Sequence, residues 1–236
     1  MKNYYLCRLL LLNLVTIICF AIISCGGDGD GDELSQSDIP KETQFMPIGV
    51  WENGEYFISF NDDQFCCAYF DDKYVDCGKY TINDNIITCN NTYYAKQTKY
   101  HITKLTEASI EVNIEYTSIS GNFCTKTMKF IKNSNKAPSI KDHSLIGKSY
   151  DSYTDYVSWS FETYNTGVKM NKKSSATLEF PLRAYYIFFD GKIYYQTYSM
   201  TAQRPTIGGW NPSTTVSIST ISFKADGSIS NIKKIK

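Results

Sequence analysis

The 236-residue sequence predicts an all-β protein: an antiparallel up-and-down meander that closes into a small barrel, followed by a second antiparallel β domain. Aromatic residues make up 15% of the chain, and together with frequent Ile, Thr and Val they favour strands. No segment sustains the 3.6-residue apolar period of an amphipathic helix. Short apolar runs alternate with brief polar turns, a pattern typical of strands joined as antiparallel hairpins.

Residues 1–24 have the pattern of a bacterial lipoprotein signal peptide. Lys2 and Arg8 supply a basic start, and an apolar run ends at Ile22-Ile23-Ser24-Cys25, where a small residue directly precedes a cysteine. The alternative is a transmembrane anchor, because the run is about long enough to cross a bilayer. Asn13 within the run argues against the anchor. We therefore expect Cys25 to be acylated, with palmitate or a similar chain, and to attach the protein to the lipid bilayer.

Residues 25–45 are expected to hold the lipidated cysteine and a flexible acidic tether. Residues 26–45 contain six acidic side chains and one lysine, a composition that cannot bury enough apolar surface to fold. The acidic run resembles the export tag of surface lipoproteins in Bacteroidetes. The resemblance implies a lipid-anchored outer-membrane protein exposed at the cell surface. The alternative is a solvated linker without a sorting role.

The strand-like runs fall into two groups, which predict domains at residues 46–133 and 143–236 joined by a linker at 134–142. Seven or eight antiparallel strands expose two edges, and closure into a barrel removes them. Similar openings at Ile48-Gly49-Val50-Trp51 and Ile146-Gly147 suggest that the second domain is a divergent repeat. The predicted strands are Tyr56–Phe60, Gln64–Phe70, Tyr74–Ile82, Ile86–Cys89, Lys99–Leu105, Ser109–Tyr116 and Phe123–Ile131, then Val157–Phe161, Glu179–Phe189, Lys192–Tyr198 and Thr214–Phe223.

Residues 47–132 resemble the small lipocalin-like domains of Bacteroidetes lipoproteins. The features that match are Gly49-Val50-Trp51, the Phe60-Asn61-Asp62-Asp63 turn, the segment Gly78–Ile86, and Ile102–Leu105 leading to Ile110-Glu111-Val112. The resemblance implies a barrel in which Trp51 packs across the floor. It implies no catalytic residues and does not name a ligand.

All five cysteines that follow the tether lie in the first predicted domain. If Asp71-Asp72 is the tip of a hairpin, Cys66 faces Cys77, and these two are the candidate disulfide. Cys67 would then need Cys89 or Cys124 as a partner, and one cysteine would stay unpaired. The alternative is that several are small buried apolar side chains. We expect no metal site, because zinc-knuckle spacing is lacking.

The sequence predicts no catalytic site, no cofactor and no nucleic-acid partner. A G-x-S-x-G motif is absent, and the paired aspartates at 62–63 and 71–72 fit turn chemistry. His101 is expected to be a half-exposed strand residue and His143 a solvated linker residue. The chain is close to neutral, which gives no basic footprint for nucleic acid.

Aromatic side chains in the second predicted domain favour a binding or interaction module rather than an enzyme. The pairs Tyr185-Tyr186 and Tyr194-Tyr195 place one ring on each face of a sheet, and Trp210 lies in a loop-like segment. Trp210, Tyr194 and Tyr185 are therefore candidate contacts for a small apolar ligand, a glycan or a protein partner. The alternative function is a glycan-binding accessory lipoprotein of an outer-membrane uptake system that uses these aromatics.

Overall fold

The computed structural model describes residues 46–91, 96–118, 121–152, 157–171, 180–199 and 215–236. Cys25, the predicted signal peptide and tether, and Trp210 lie outside these residues. Within them the chain forms fifteen strands in two antiparallel sheets. The predicted fold class is confirmed. No helix in these ranges is long and apolar enough to cross a membrane.

The first eight strands form a closed barrel in which each pairs with its neighbour in sequence. Closure comes from β1 pairing with β8, where Trp51 lies opposite Lys132. Short polar turns join most strands, as the sequence predicts. The strands are β1 Gly49–Asn53, β2 Tyr56–Phe60, β3 Phe65–Asp71, β4 Tyr74–Asn83, β5 Ile86–Asn91, β6 Lys96–Leu105, β7 Ser109–Thr117 and β8 Phe123–Lys132.

The last seven strands form a second sheet that curls until it is nearly closed. Its two edge strands come together where the Tyr150 hydroxyl donates to Asn231 Oδ1 at 3.4 Å. The strands, in sheet order from one edge to the other, are β9 Ser149–Ser152, β10 Val157–Phe161, β11 Thr166–Asn171, β12 Phe180–Phe189, β13 Lys192–Ser199, β14 Ser217–Phe223 and β15 Ile229–Lys234.

Aromatic side chains fill the interior of the barrel. Trp51 has no exposed surface and its Nε1–H donates to the Pro47 carbonyl at 2.8 Å, so the predicted packing role of this tryptophan is confirmed. Edge-to-face ring contacts occur throughout this core, as is typical of aromatic packing. The largest buried side chains inside the barrel are Trp51, Phe60, Phe70, Tyr74, Tyr80, Tyr100, Tyr116 and Phe130.

Strands β3 and β7 show what covers the outside of the barrel. In β7, buried residues alternate with partly exposed ones, because one face is in the core and the other meets solvent. In β3, every residue from Phe65 to Phe70 is buried. The second sheet accounts for this difference, since it packs against the outer face of β3 and of its neighbours.

The barrel and the second sheet share an aromatic interface. Phe57 on β2 stacks on Phe189 with ring centroids 4.1 Å apart, and Tyr194 contacts both Phe57 and Tyr69. Polar bonds complete the contact: Gln196 Nε2 donates to the Lys73 carbonyl at 2.9 Å. Burial of these apolar side chains between the barrel and the second sheet stabilises the packing of the one on the other.

The predicted register of the β3–β4 hairpin differs from the observed register by one residue. The turn lies at Asp72-Lys73, one residue later than the predicted Asp71-Asp72, and a bulge between Tyr69 and Asp71 then shifts the pairing by one residue, so that Cys67 rather than Cys66 faces Cys77. A one-residue shift moves every side chain to the opposite face. Cys66 therefore points into the barrel, where it forms a disulfide with Cys89. The predicted Cys66–Cys77 pairing is corrected to Cys66–Cys89.

Candidate functional site

A buried carboxylate lies inside the barrel. Asp76 has no exposed surface, and its Oδ2 accepts a hydrogen bond from the Tyr100 hydroxyl at 2.8 Å. Asn91, Thr98 and the backbone N–H of Cys77 also donate to the carboxylate. Burial raises the pKa of Asp76 to about 6, although these hydrogen bonds oppose the rise. These donors hold the Asp76 carboxylate in place, so its role is a structural one in the barrel core.

Asp76 also lies beside the Cys66–Cys89 disulfide. The carboxylate and the two sulfur atoms are all within 4.8 Å of one another, a distance that metal ligands would adopt. The two sulfurs are bonded to each other, however, and thiolates rather than disulfides bind metals. The cluster as it stands is therefore a cross-linked polar core and offers a weak ligand set.

The two histidines occupy different environments. His101 is half-buried on the outside of the barrel, with its Nε2 3.2 Å from the Glu115 carboxylate. His143, expected to be solvated, is 8% exposed and donates from Nε2 to the Tyr164 carbonyl at 2.9 Å. Its ring packs against Tyr186, and burial lowers the pKa of His143. The expectation of a solvated residue was wrong, because the His143 ring packs on Tyr186 and Phe188 of the second sheet.

The tyrosine pairs place one ring on each face of the second sheet, as predicted. Tyr185 and Tyr194 face the barrel, whereas Tyr186 and Tyr195 face the interior of the sheet. Tyr185 has no exposed surface, so the structure gives this candidate ligand contact a packing role. Tyr194 is 5% exposed at the base of a cleft between barrel and sheet. The third candidate, Trp210, lies outside the described residues.

The second sheet has a partly open cavity of about 510 Å³ beside β15, here called the second-sheet cavity. Register shows which side chains face it, because directly paired residues lie on the same face of a sheet. Lys169 pairs with Trp159, and Lys234 pairs with Ser219. The described residues that line the cavity are Val157, Trp159, Lys169, Tyr195, Ser219, Asn231, Ile232, Lys233 and Lys234.

The lining of this cavity combines aromatic rings with basic groups. The ammonium of Lys169 lies 5.6 Å from the centre of the Trp159 ring and 5.2 Å from that of Tyr195. Its Nζ also donates to the Tyr195 hydroxyl at 3.3 Å. The described lining contains three lysines and neither Asp nor Glu. By register Lys234 lies on the interior face with Ser219, whereas Lys233 pairs with Thr220 on the other face at the rim. The charged side chains of the described lining are therefore all basic.

The cleft between barrel and second sheet has about 300 Å³ of space and a different charge balance. Lys136 binds Glu52 at 2.7 Å and Asp190 at 2.8 Å. Lys236 binds Glu55 at 2.8 Å and Asp72 at 2.9 Å. Acidic and basic groups thus pair with each other in the cleft, in contrast to the second-sheet cavity.

Sequence reasoning missed the cavity residues because they lie on strands distant in sequence. Strands β11 and β15, which carry Lys169 and Lys234, have no counterpart among the predicted strands. The segment Ile232-Lys233-Lys234 only weakly indicates a binding site, because lysines beside an apolar residue are common on exposed strands. Comparisons of the chain with protein-family models, with curated proteins and with solved structures gave no match.

Proposed function

We propose that this protein is a lipid-anchored binding protein, exposed on the outer membrane, that holds a small ligand in the second-sheet cavity and catalyses no reaction. The observation that carries the proposal is the cavity itself. Its volume of about 510 Å³ falls in the range typical of small-molecule sites. Trp159, Tyr195 and Ile232 supply apolar contact, and Ser219 and Asn231 supply hydrogen-bonding groups.

The anchor and the barrel have supporting roles in this proposal. The lipoprotein signal and the acidic tether of the sequence would hold the folded part at the membrane surface. The barrel is filled by its own aromatic side chains, so it serves as a rigid support for the second sheet. The absence of catalysis is supported by the histidines, since His143 is buried among aromatic rings and His101 contacts a single carboxylate.

The proposal is tested by blocking the cavity. Asn231→Trp places a large side chain at the cavity wall, where Asn231 is exposed and lines the space. Its matched control is Ser230→Trp, at an exposed neighbouring position of β15 outside the described lining. Calorimetric titration with glucose, glucuronate, glucose 6-phosphate and benzoate is the measurement.

We expect at least one of these four compounds to bind the wild type and the Ser230→Trp variant, and to lose binding to Asn231→Trp. Equal binding by all three proteins would place the site elsewhere. Failure of all four compounds to bind the wild type would count against a small-ligand role and favour a protein partner.

A further inference from the structure

We infer that the second-sheet cavity is specific for an anionic sugar, a hexose-sized ring that carries a carboxylate or a phosphate. This inference rests on the proposed function and specifies the chemical class of its ligand. Lysine ammonium groups bind the anionic group, while hydroxyl and amide groups bind the ring hydroxyls.

The charge of the ligand follows from the ionic partners of the lining. None of Lys169, Lys233 and Lys234 forms an ion pair with any residue in the described ranges. By contrast, four lysines elsewhere in these ranges each lie within 4 Å of a carboxylate, namely Lys126, Lys129, Lys136 and Lys236. An anion in the cavity would supply the missing partner and would form charge-assisted hydrogen bonds.

Lys169 is the best placed of the three. Its side chain is half-buried, and its ammonium stands over the rings of Trp159 and Tyr195, which also line the cavity. A pre-positioned ammonium loses little conformational entropy on binding an anion. Lys234 enters from the opposite wall through its pairing with Ser219.

The polar groups between the lysines favour a hydroxylated ring over an apolar acid. Asn231 Oδ1 accepts from the Tyr150 hydroxyl, and the amide N–H groups of Asn231 have no partner among the described residues. Ser219 is 2% exposed and faces the same space. An apolar acid would desolvate these groups without replacing their hydrogen bonds, which is costly. Sugar hydroxyls would satisfy them.

The apolar part of the lining fits the apolar faces of a sugar ring. Pyranose rings have C–H groups on both faces, and these pack on aromatic and aliphatic side chains. Val157 and Ile232 lie beside Trp159 and Tyr195 in the described lining. The mixture of rings, aliphatic groups and donors is thus complementary to a polar ring with one charged substituent.

The test compares charged and neutral ligands of one size. Glucuronate, glucose 6-phosphate, glucose and benzoate are titrated into wild-type protein and into Lys169→Met, Lys169→Arg and Lys129→Met. Met keeps the apolar stem of Lys169 and removes its charge, whereas Arg keeps the charge. Lys129 is an exposed lysine on the barrel that pairs with Glu111, so it controls for loss of a surface charge.

We expect glucuronate or glucose 6-phosphate to bind the wild type, and the stronger of the two identifies the anionic group. Lys169→Met should weaken that binding by roughly tenfold to a hundredfold, the cost of losing one charge-assisted hydrogen bond. Lys169→Arg and Lys129→Met should bind nearly as the wild type does. Binding should also weaken as the salt concentration rises.

Two results would overturn the inference while leaving the proposed function intact. Glucose binding as tightly as glucuronate, with no effect of Lys169→Met, would show a neutral sugar site. Benzoate binding more tightly than both anionic sugars would show a site for apolar acids. If none of the four compounds binds the wild type, the proposed function is contradicted as well.

A second inference rests on a separate observation. We infer that Cys67 and Cys77 form a second disulfide on the outside of the barrel, beneath the second sheet. They face each other directly on β3 and β4, and their Sγ atoms are 3.3 Å apart. The adjacent cysteines 66 and 67 would then each cross-link β3 to a different strand, one on each face of the barrel wall.

Closing this bond joins the two sulfur atoms and releases two protons and two electrons. An oxidising disulfide such as oxidised glutathione accepts them and becomes two thiols. Both cysteines are buried beneath the second sheet, so a glutathione molecule cannot reach either sulfur in the folded protein, and burial also raises the pKa of the Cys77 thiol. Oxidation therefore precedes the packing of the second sheet on β3 and β4.

The test uses the Cys66→Ala/Cys89→Ala variant of the full chain, which removes the competing pair. The protein is refolded with oxidised and reduced glutathione and digested with trypsin without reduction. Lys73 lies between Cys67 and Cys77, so cleavage there leaves their two peptides joined only through a disulfide. We expect this joined pair in mass spectra, and also in digests of the wild type as a larger cluster that includes Cys89. Recovery of both peptides as free thiols, or linkage of either to Cys124, would overturn the inference.

Discussion

The barrel and the second sheet enclose their interiors in different ways. The barrel has eight strands, closes completely and is filled by aromatic rings. The second sheet has seven strands, stops short of closure and leaves a cavity of about 510 Å³. Incomplete closure, and not a lack of aromatic residues, separates them, because the second sheet also buries Trp159, Phe161, Tyr186 and Tyr195.

The polar groups inside the barrel and inside the second sheet also differ, in whether they have bonding partners. In the barrel, the carboxylate of Asp76 is surrounded by donors that satisfy it. In the second sheet, lysines line the cavity without an acidic partner in the described part of the chain. A satisfied buried network fixes one structure, whereas unpaired charges facing a cavity favour a ligand. On the proposed function, the barrel is therefore the support and the second sheet carries the binding surface.

The largest expected effect comes from shortening one isoleucine in each interior. Ile87→Ala inside the barrel should lower the free energy of unfolding by about 4 kcal/mol, because the closed, packed surroundings cannot collapse into the space. Ile232→Ala at the cavity wall should cost at least about 1 kcal/mol less, since the side chain already borders open space. Urea unfolding of both variants measures the difference. Equal costs would contradict the contrast between a filled and an open interior.

The disulfide offers the next test, because it cross-links the barrel alone. Cys66→Ala/Cys89→Ala should lower the free energy of unfolding by about 3 kcal/mol, the usual effect of opening a loop of this length. Cys124→Ala is the control, since Cys124 is unpaired and half-buried. Amide hydrogen exchange should speed up mainly in β3, β4 and β5. Equal acceleration in β12 and β13 would show that the two sheets open together.

The sequence was sufficient for the fold class, the order of the barrel strands and the packing role of Trp51. The fold class and the order of β2 to β8 follow from local patterns of turn residues and apolar runs, whereas the packing role of Trp51 was implied by the family resemblance of residues 47–132. The unbroken apolar run Phe65–Phe70 also indicates burial on both faces, because such a strand lacks polar alternation. That run predicts a cover on the outside of β3.

Register and the cavity could not be predicted in the same way. The turn of the β3–β4 hairpin lies at Asp72-Lys73 rather than Asp71-Asp72, and together with the bulge between Tyr69 and Asp71 it places Cys67 instead of Cys66 opposite Cys77. The meeting of Lys169, Ser219 and Lys234 depends on how far the second sheet curls. No local pattern encodes that curvature. For the same reason, no local pattern indicates that the barrel covers Tyr185.

A smaller effect is expected from the pH dependence of the barrel core. The pKa of Asp76 is raised from 3.8 to about 6 in the folded protein, so the folded state binds the proton more tightly than the unfolded state. The contribution of Asp76 to stability is then greatest below pH 4 and is lost as pH rises through 6. The stability of the wild type relative to Asp76→Asn should fall by about 2 kcal/mol between pH 4 and pH 7. Urea midpoints of the two proteins at several pH values would show this. A constant difference would mean that the carboxyl titrates normally.

The smallest effect concerns the contact that joins the two regions at the chain's last residue. Lys236 follows β15 of the second sheet, and its ammonium reaches Glu55, Asp72 and the Tyr69 hydroxyl of the barrel. Because these groups are partly exposed and screened by solvent, Lys236→Met should cost only about 0.5–1 kcal/mol. The cost should shrink in 1 M salt, since screening acts on the wild type alone. Lys234→Met, at an exposed lysine that has no acidic partner among the described residues, should leave stability nearly unchanged at either salt concentration. A larger, salt-independent loss for Lys236→Met would instead indicate that the stem of this lysine packs on Tyr69 as part of the interface between barrel and second sheet.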